Sequence, residues 1–381
     1  MFSGGALERM TIFALNIMPY ISASIILQLG QSVVPSLAAL KKEGEAGHRK
    51  IVHYTKVLTV LITIIQGYGI AVGLEGMTGS AGLSAVVMPG FIFKFTTIVS
   101  LVGGTMFIVW LGEQITSRGV GNGSSLIITV GIIANIPSAL AQTFELGRVG
   151  SMSLGVIAML LFMVLALIYI IVLVERAQRK ITIQYPKRQM GGRMMSSENS
   201  HLPLKINPTG VIPPIFASSL LLLPITVANL SAENGPEWVQ TLSQLLGHGQ
   251  PLYLTLYGAL IIFFAFFYTA VVFNPEETAD NLKKHGGFIA GIRPGKNTAE
   301  YLDYVITRLT VLGAVYLTAL CILPEILISR LSVPFILGGT TLLIVVQVTM
   351  DFVGQLQSHL IAYQYEGLIK KAALVNKGKR R

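Results

Sequence analysis

Long uncharged apolar runs alternate with shorter polar segments along the whole chain. A helix needs roughly 20 largely apolar residues to cross the hydrocarbon core of a bilayer. Nine runs come close to that length, at about 10–34, 54–72, 91–113, 124–141, 154–174, 208–228, 252–273, 300–323 and 333–351. They are continuous, without the alternation over about ten residues that marks the strands of a membrane barrel. In hydrocarbon a helix satisfies its own backbone hydrogen bonds, which makes it the default spanning element. The pattern predicts an all-α polytopic membrane protein with nine spans.

The charges orient those spans. Only 12% of the 381 residues are charged and the mean hydropathy is +0.66, against roughly 25% charged in soluble domains. The formal net charge is +10, and 23 of the 28 Lys and Arg fall in 36–56, 115–123, 175–207, 274–299 and the tail from 352. The intervening segments 73–90, 142–153, 229–251 and 324–332 hold only Arg148 and Arg330. Basic loops stay on the cytoplasmic side, so the long loops 175–207 and 274–299 and the carboxyl tail are expected there, with the amino end outside. An amino end outside, almost on top of a span, leads us to expect that a preceding span is missing. A secretory signal of basic segment, short apolar core and cleavage site is not recognisable, because MFSGGALERM leads straight into a long apolar run.

Candidate chemistry is sparse. Cys321, the single cysteine, excludes an internal disulfide and a cysteine metal cluster. Within LTALCILPEIL it reads as a small buried hydrophobe. HExxH, GxSxG and P-loop patterns are absent, which argues against an enzyme and implies no cofactor. Glu276 and Glu277 read as part of a solvated loop. GVGNGSS lacks the lysine of a phosphate loop and reads as a turn in which Ser124 or Ser125 caps the next helix. Ionisable groups within spans are functional candidates by default. Here Arg308, Glu113 and Lys94 sit near span edges and can snorkel. No chain of acidic residues crosses the membrane, which argues against a secondary transporter of a small solute, the alternative reading. A non-transporting assembly scaffold is a third.

Several stretches are more specific than any short motif: GGALERMTIFALNIMPYISASIILQL, KKEGEAGHRK, WLGEQITSRGVGNGSS, HLPLKINPTGVIPPIFASS, FFYTAVVFNPEETADNLKKHGGFIAGIRPG, RLTVLGAVYLTALCILPE and VPFILGGTTLLIVVQVTMDF. In order and from end to end they resemble the SecY family, channel subunits of the Sec translocase, and the loops look bacterial. That resemblance implies a SecY-like bundle with nine of the family's ten spans, lacking the first span and the plug. It divides into an N-terminal half (1–141), a C-terminal half (142–351) and a basic tail (352–381).

The resemblance also implies sites and partners. A pore ring maps to Ile17, Ile21, Ile128, Ile132, Ile215 and Ile344. A ring of flexible apolar side chains dewets and holds ions back while passing varied chains. The i, i+4 pairs Ile17/Ile21 and Ile128/Ile132 each share a helix face. A lateral gate would open between 10–34 and 54–72 on one side and 208–228 and 252–273 on the other, with Ser22, Ser24, Gln28, Gln66, Ser218 and Ser219 at the seam. Pro19, Pro213 and Pro214 are expected to kink those helices. Lys187, Arg188, Arg293, Lys283 and Lys284 would dock the SecA ATPase or ribosomal RNA, whose phosphates attract basic loops. The implied partners are SecE, SecG, SecA, the ribosome, signal peptides, nascent polypeptides and the lipid of a bacterial plasma membrane.

Overall fold

A computed structural model describes residues 11–76, 86–150, 153–185, 189–190, 193–194, 200–231, 247, 249–331 and 338–378. Each of the nine apolar runs overlaps a helix. In chain order these are α1 (Met18–Val33), α2 (Pro35–Lys42), α3 (Glu45–Gly76), α4 (Phe91–Arg118), α5 (Gly123–Arg148) and α6 (Leu154–Arg176). After the loop strands come α7 (Ile212–Ser231), α8 (Pro251–Val272), α9 (Pro275–Lys284), α10 (Lys296–Leu331) and α11 (Gly339–Gly378). The short helices α2 and α9 lie in the polar connections. Among the described residues seven helices are long and apolar enough to cross a membrane. The two runs outside that set are those of α1, with 16 residues, and α7, whose described apolar part is Ile212–Leu221.

The first run departs from its expected continuous helix over 10–34. Residues 12–17 form turns, and regular helix begins at Met18. Asn16 is the cause. Its φ of 49° is left-handed, and its Oδ1 accepts a 2.9 Å hydrogen bond from the Ile17 amide. Asparagine tolerates this region because its side chain bonds locally. A β-branched residue there meets its own backbone. Asn16→Val is expected to destabilise the fold by about 1–2 kcal/mol, and Asn16→Gly to be tolerated. Thermal unfolding of the purified protein separates the two.

Helix starts are set by local polar chemistry. Asn122, not Ser124 or Ser125, caps α5: its side chain accepts from both serine amides at 3.0 and 3.4 Å. Asn274 does the same for α9, whose first turn holds Glu276 and Glu277. Those acids therefore sit at the positive end of a helix dipole rather than in an irregular loop. Thr116 tightens the α4–α5 turn by accepting from the Gly123 amide at 2.8 Å. A methyl group on Gly123 would run into the Gly112 carbonyl. Gly123→Ala is thus expected to pry α4 from α5 and cost about 1–3 kcal/mol, read as lowered thermal stability, whereas Gly103→Ala on open α4 surface is expected to change little.

The polar loops carry strands. β1 (Gln178–Gln184) pairs antiparallel with β4 (Ser200–Lys205) and with β5 (Phe288–Ile289), giving the order β4-β1-β5. Between them β2 (Gln189–Met190) and β3 (Arg193–Met194) form a small antiparallel pair. The inward face of the sheet (Ile181, Leu204, Ile289) packs on Leu302, Val305, Ile306 and Leu309 of α10. The two long loops are thereby fastened to each other and to a membrane helix. In the membrane part α1, α3, α4 and α5 pack in sequence. On the other side α7 packs on α8, α8 on α10, and α11 on both α6 and α10. The two groups meet where α7 touches α1 and α3, and where α5 touches α6 and α11.

Candidate pore and gate

Six isoleucines from four helices converge at that junction. Ile17, just ahead of α1, Ile128 and Ile132 of α5, and Ile344 of α11 are buried in one apolar cluster with Val109 and Val348. Ile21 of α1 and Ile215 of α7, partly buried, pack against it. The left-handed turn at Asn16 seats Ile17, which is fully buried. The Asn122 cap starts α5 so that Ile128 and Ile132, one turn apart, face inward together.

The six polar residues expected at a gate, on α1, α3 and α7, are in different states. Ser218 donates to the Ile215 carbonyl at 3.0 Å, and Gln28 Nε2 reaches Ser24 Oγ at 3.5 Å on the outer surface. Ser22 is half-buried. Gln66 Oε1 and Ser219 Oγ are buried and have no hydrogen-bond partner among the described residues. A buried unpaired polar atom costs about 1–3 kcal/mol, so these two atoms make this packing cheaper to open. On the far side of α7, Phe216 stands edge-on to Phe264 and Tyr268 of α8. The prolines do not act as expected. Pro19 occupies the first turn of α1, and Pro213 and Pro214 the first turn of α7. At a helix start no intrahelical bond is lost. Prolines further along helices include Pro137 of α5, Pro224 of α7 and Pro324 of α10.

Two charges expected to snorkel are paired instead. Lys94 meets Glu75 at 3.0 Å, with Glu75 also accepting from the Gly90 amide at 2.8 Å, and Lys56 meets Glu113 at 2.9 Å. Both pairs tie α3 to α4 or its lead-in. Of the basic docking residues, Lys187 and Arg188 lie outside the described residues. Lys283 and Lys284, in the last turn of α9, and Arg293, between β5 and α10, are exposed.

One polar cluster was not foreseen. Glu175, at the end of α6, is 5% exposed. Its Oε1 accepts from Asn207 Nδ2 at 2.7 Å, while Oε2 makes no hydrogen bond of good geometry among the described residues. Asn207 Nδ2 also donates to the Gly210 carbonyl, and its Oδ1 accepts from Thr209 Oγ1 at 2.9 Å. Gln347 of α11, whose Oε1 is likewise unpartnered, lies beside Gly210. The knot joins the end of α6, the lead-in to α7 and α11 three residues beyond Ile344. No periodic signal marks it, because its members come from three distant segments.

A bundle of long apolar helices, seven of them long enough among the described residues to cross a membrane, defines a polytopic helical membrane protein. The SecY profile matches residues 11–353. The chain is 54% identical over 380 residues to the protein translocase subunit SecY of Escherichia coli K12, covering all of this chain and 85% of that protein. It is 54% identical over 376 residues to SecY of Rickettsia bellii, covering 99% and 86%. Among solved structures it resembles one described as a protein conducting channel, with TM-score 0.69, 17% identity and coverage of 92% of this chain and 82% of that one. Sec61 in a canine ribosome–channel complex from the endoplasmic reticulum gives TM-score 0.65 at 16% identity, covering the same shares. The chain belongs to the SecY family. It is a multi-pass membrane protein of protein translocation, a channel subunit and not an enzyme.

Proposed function

We propose that unfolded secretory chains pass through the isoleucine cluster, and that membrane segments leave sideways between α1/α3 and α7/α8. The observation that carries this reading is the meeting of Ile17, Ile21, Ile128, Ile132, Ile215 and Ile344, from four helices, in one cluster at the junction of the two helix groups. Those groups correspond to the two halves, 1–141 and 142–351, which move apart as bodies when a chain enters. Isoleucine suits the task because it is apolar, flexible at its δ carbon and unable to hold ions. The buried, unpaired Gln66 and Ser219 lower the cost of wetting the seam.

In this reading the basic loops and the tail face the cytoplasm of a bacterium, with the channel in its plasma membrane. Lys283, Lys284 and Arg293, with Lys187 and Arg188, offer cations to an acidic motor surface or to ribosomal RNA. The motor is SecA, and SecE and SecG complete the channel. The sheet β4-β1-β5 gives those loops a firm base, because a docking force on them reaches α10 directly.

Site-specific crosslinking of a stalled secretory chain tests the path. The parent channel carries Cys321→Ser and single cysteines at Ile128, Ile215 or Ile344, with Phe162 and Leu312 on outward faces as controls. Crosslinks at the three isoleucines and not at the controls are expected. Equal labelling everywhere, with export intact, would overturn the ring and favour a scaffold.

A further inference from the structure

Arg308 is the last charge on the basic-loop side of α10, since residues 309–324 carry none. Its neighbours divide by face. Val305, Ile306, Leu309 and Thr310 are buried against the protein, while Tyr304, Arg308, Val311, Leu312 and Val315 face outward. The guanidinium carbon stands 4.7 Å from the centroid of the Tyr304 ring, one turn nearer the helix start. A helical side chain leans toward the amino end of its helix, and an arginine at an apolar boundary reaches for the polar interface. The stack fixes that reach. Glu300 and Asp303 precede it on the same helix, yet no carboxylate among the described residues forms an ion pair with Arg308. Just beyond Tyr304, at the start of α10, opens a cleft of about 580 Å³ lined by Arg293, Asn297, Glu300, Tyr301 and Tyr304. On the other side of Arg308 the outward face is purely apolar through Val311, Leu312 and Val315.

Headgroup-sized cleft, cation and apolar stripe therefore stand in the order of a phospholipid's headgroup, phosphate and chains. We propose that Arg308 and Tyr304 bind the phosphate of an anionic phospholipid in the leaflet on the basic-loop side. The guanidinium fork fits two phosphate oxygens, and the stack orients it without a competing carboxylate. The headgroup enters the cleft, where Asn297 donates and Glu300 accepts. Glu300 and Asn297 suit the hydroxyls of a glycerol headgroup, and Arg293 on the same cleft offsets the charge of Glu300, so the headgroup class is phosphatidylglycerol. The acyl chains lie along Val311, Leu312 and Val315.

Native mass spectrometry of the assembled channel tests the site. The protein is released from nanodiscs of phosphatidylcholine with phosphatidylglycerol as the minor component, and retained lipids are counted and titrated. The wild-type channel is expected to keep one more phosphatidylglycerol than Arg308→Gln, whose relative affinity falls roughly tenfold, the scale of one charge-assisted contact. Tyr304→Leu keeps the charge and removes the stack, and a smaller loss is expected. Arg308→Lys keeps the charge without the fork, so it too should fall between wild type and Arg308→Gln, and it serves if the glutamine variant assembles poorly. Inorganic phosphate should leave the lipid in place; its displacement by phosphate would mean a soluble-anion site and overturn the lipid assignment. Equal retention of the two lipids by wild type, or unchanged retention in all three variants, would overturn the proposal outright.

Discussion

Channels carrying Ile128→Asn together with Ile344→Asn are expected to leak ions at rest, with conductance at least tenfold above wild type in planar bilayers. The two side chains are buried in the same cluster from α5 and α11. An apolar constriction excludes ions because water leaves it. Two amides restore donors and acceptors for water inside the cluster, and lowering the barrier by about 1.4 kcal/mol already gives a tenfold rate. The paired control is Ile128→Val with Ile344→Val, which removes methylene groups but adds no polar atom. Its packing loss is about 0.5–1.5 kcal/mol per site, and its conductance is expected to stay near wild type. Single-channel events normalise the reading, so a lower yield of assembled protein does not imitate a seal. If the asparagine and valine pairs conduct alike, the cluster is not the ion barrier.

The spans and the meeting of the six isoleucines were legible for different reasons. Spans are written in the chain as length and apolarity, and every expected run overlaps a helix. The ring came from family likeness; one isoleucine among many in apolar helices carries no local mark of its neighbours. What sequence misplaced lay at boundaries, where one side-chain hydrogen bond decides. Asn16 delays the first helix to Met18, and Asn122 takes the cap that two serines could also have filled. The prolines of α1 and α7 look like kinks in sequence because the apolar runs begin several residues before the helices do. Once the first turns are placed, Pro19, Pro213 and Pro214 fit without breaking a bond. The strands of the basic loops were hidden by their polar outer faces, and β5 also by a partner about a hundred residues away, as Ile289 is from Ile183. The docking cations were visible as charge alone, and the pairing of Lys56 and Lys94 with Glu113 and Glu75 shows how little charge by itself says about position.

The Glu175 knot lies at the other extreme, since nothing in the sequence groups its members, and it offers the second large effect. Glu175→Leu is expected to destabilise the protein by about 2 kcal/mol, because it leaves Asn207 with a buried donor lacking one acceptor. Glu175→Gln is expected to be neutral or slightly stabilising. Its side-chain carbonyl can still accept from Asn207 Nδ2, and it removes a carboxylate from the carboxyl end of α6, where the helix dipole opposes negative charge. The orphaned donor disappears when its bearer does. Glu175→Leu combined with Asn207→Leu should therefore lose less than the sum of the single changes, a coupling of about 1 kcal/mol or more. Thermal or denaturant unfolding of the four proteins measures it. A functional readout separates this from a purely local defect. Gln347 is three residues from Ile344, and Asn207 leads into α7, which carries Ile215. Loosening the knot shifts two of the four helices that form the cluster, so Glu175→Leu should raise resting conductance, though less than the asparagine pair does. Equal stability of Glu175→Leu and Glu175→Gln would mean that the Asn207 contact contributes nothing. Lost stability with an unchanged seal would mean that the knot holds α6 to α7 but does not position the ring.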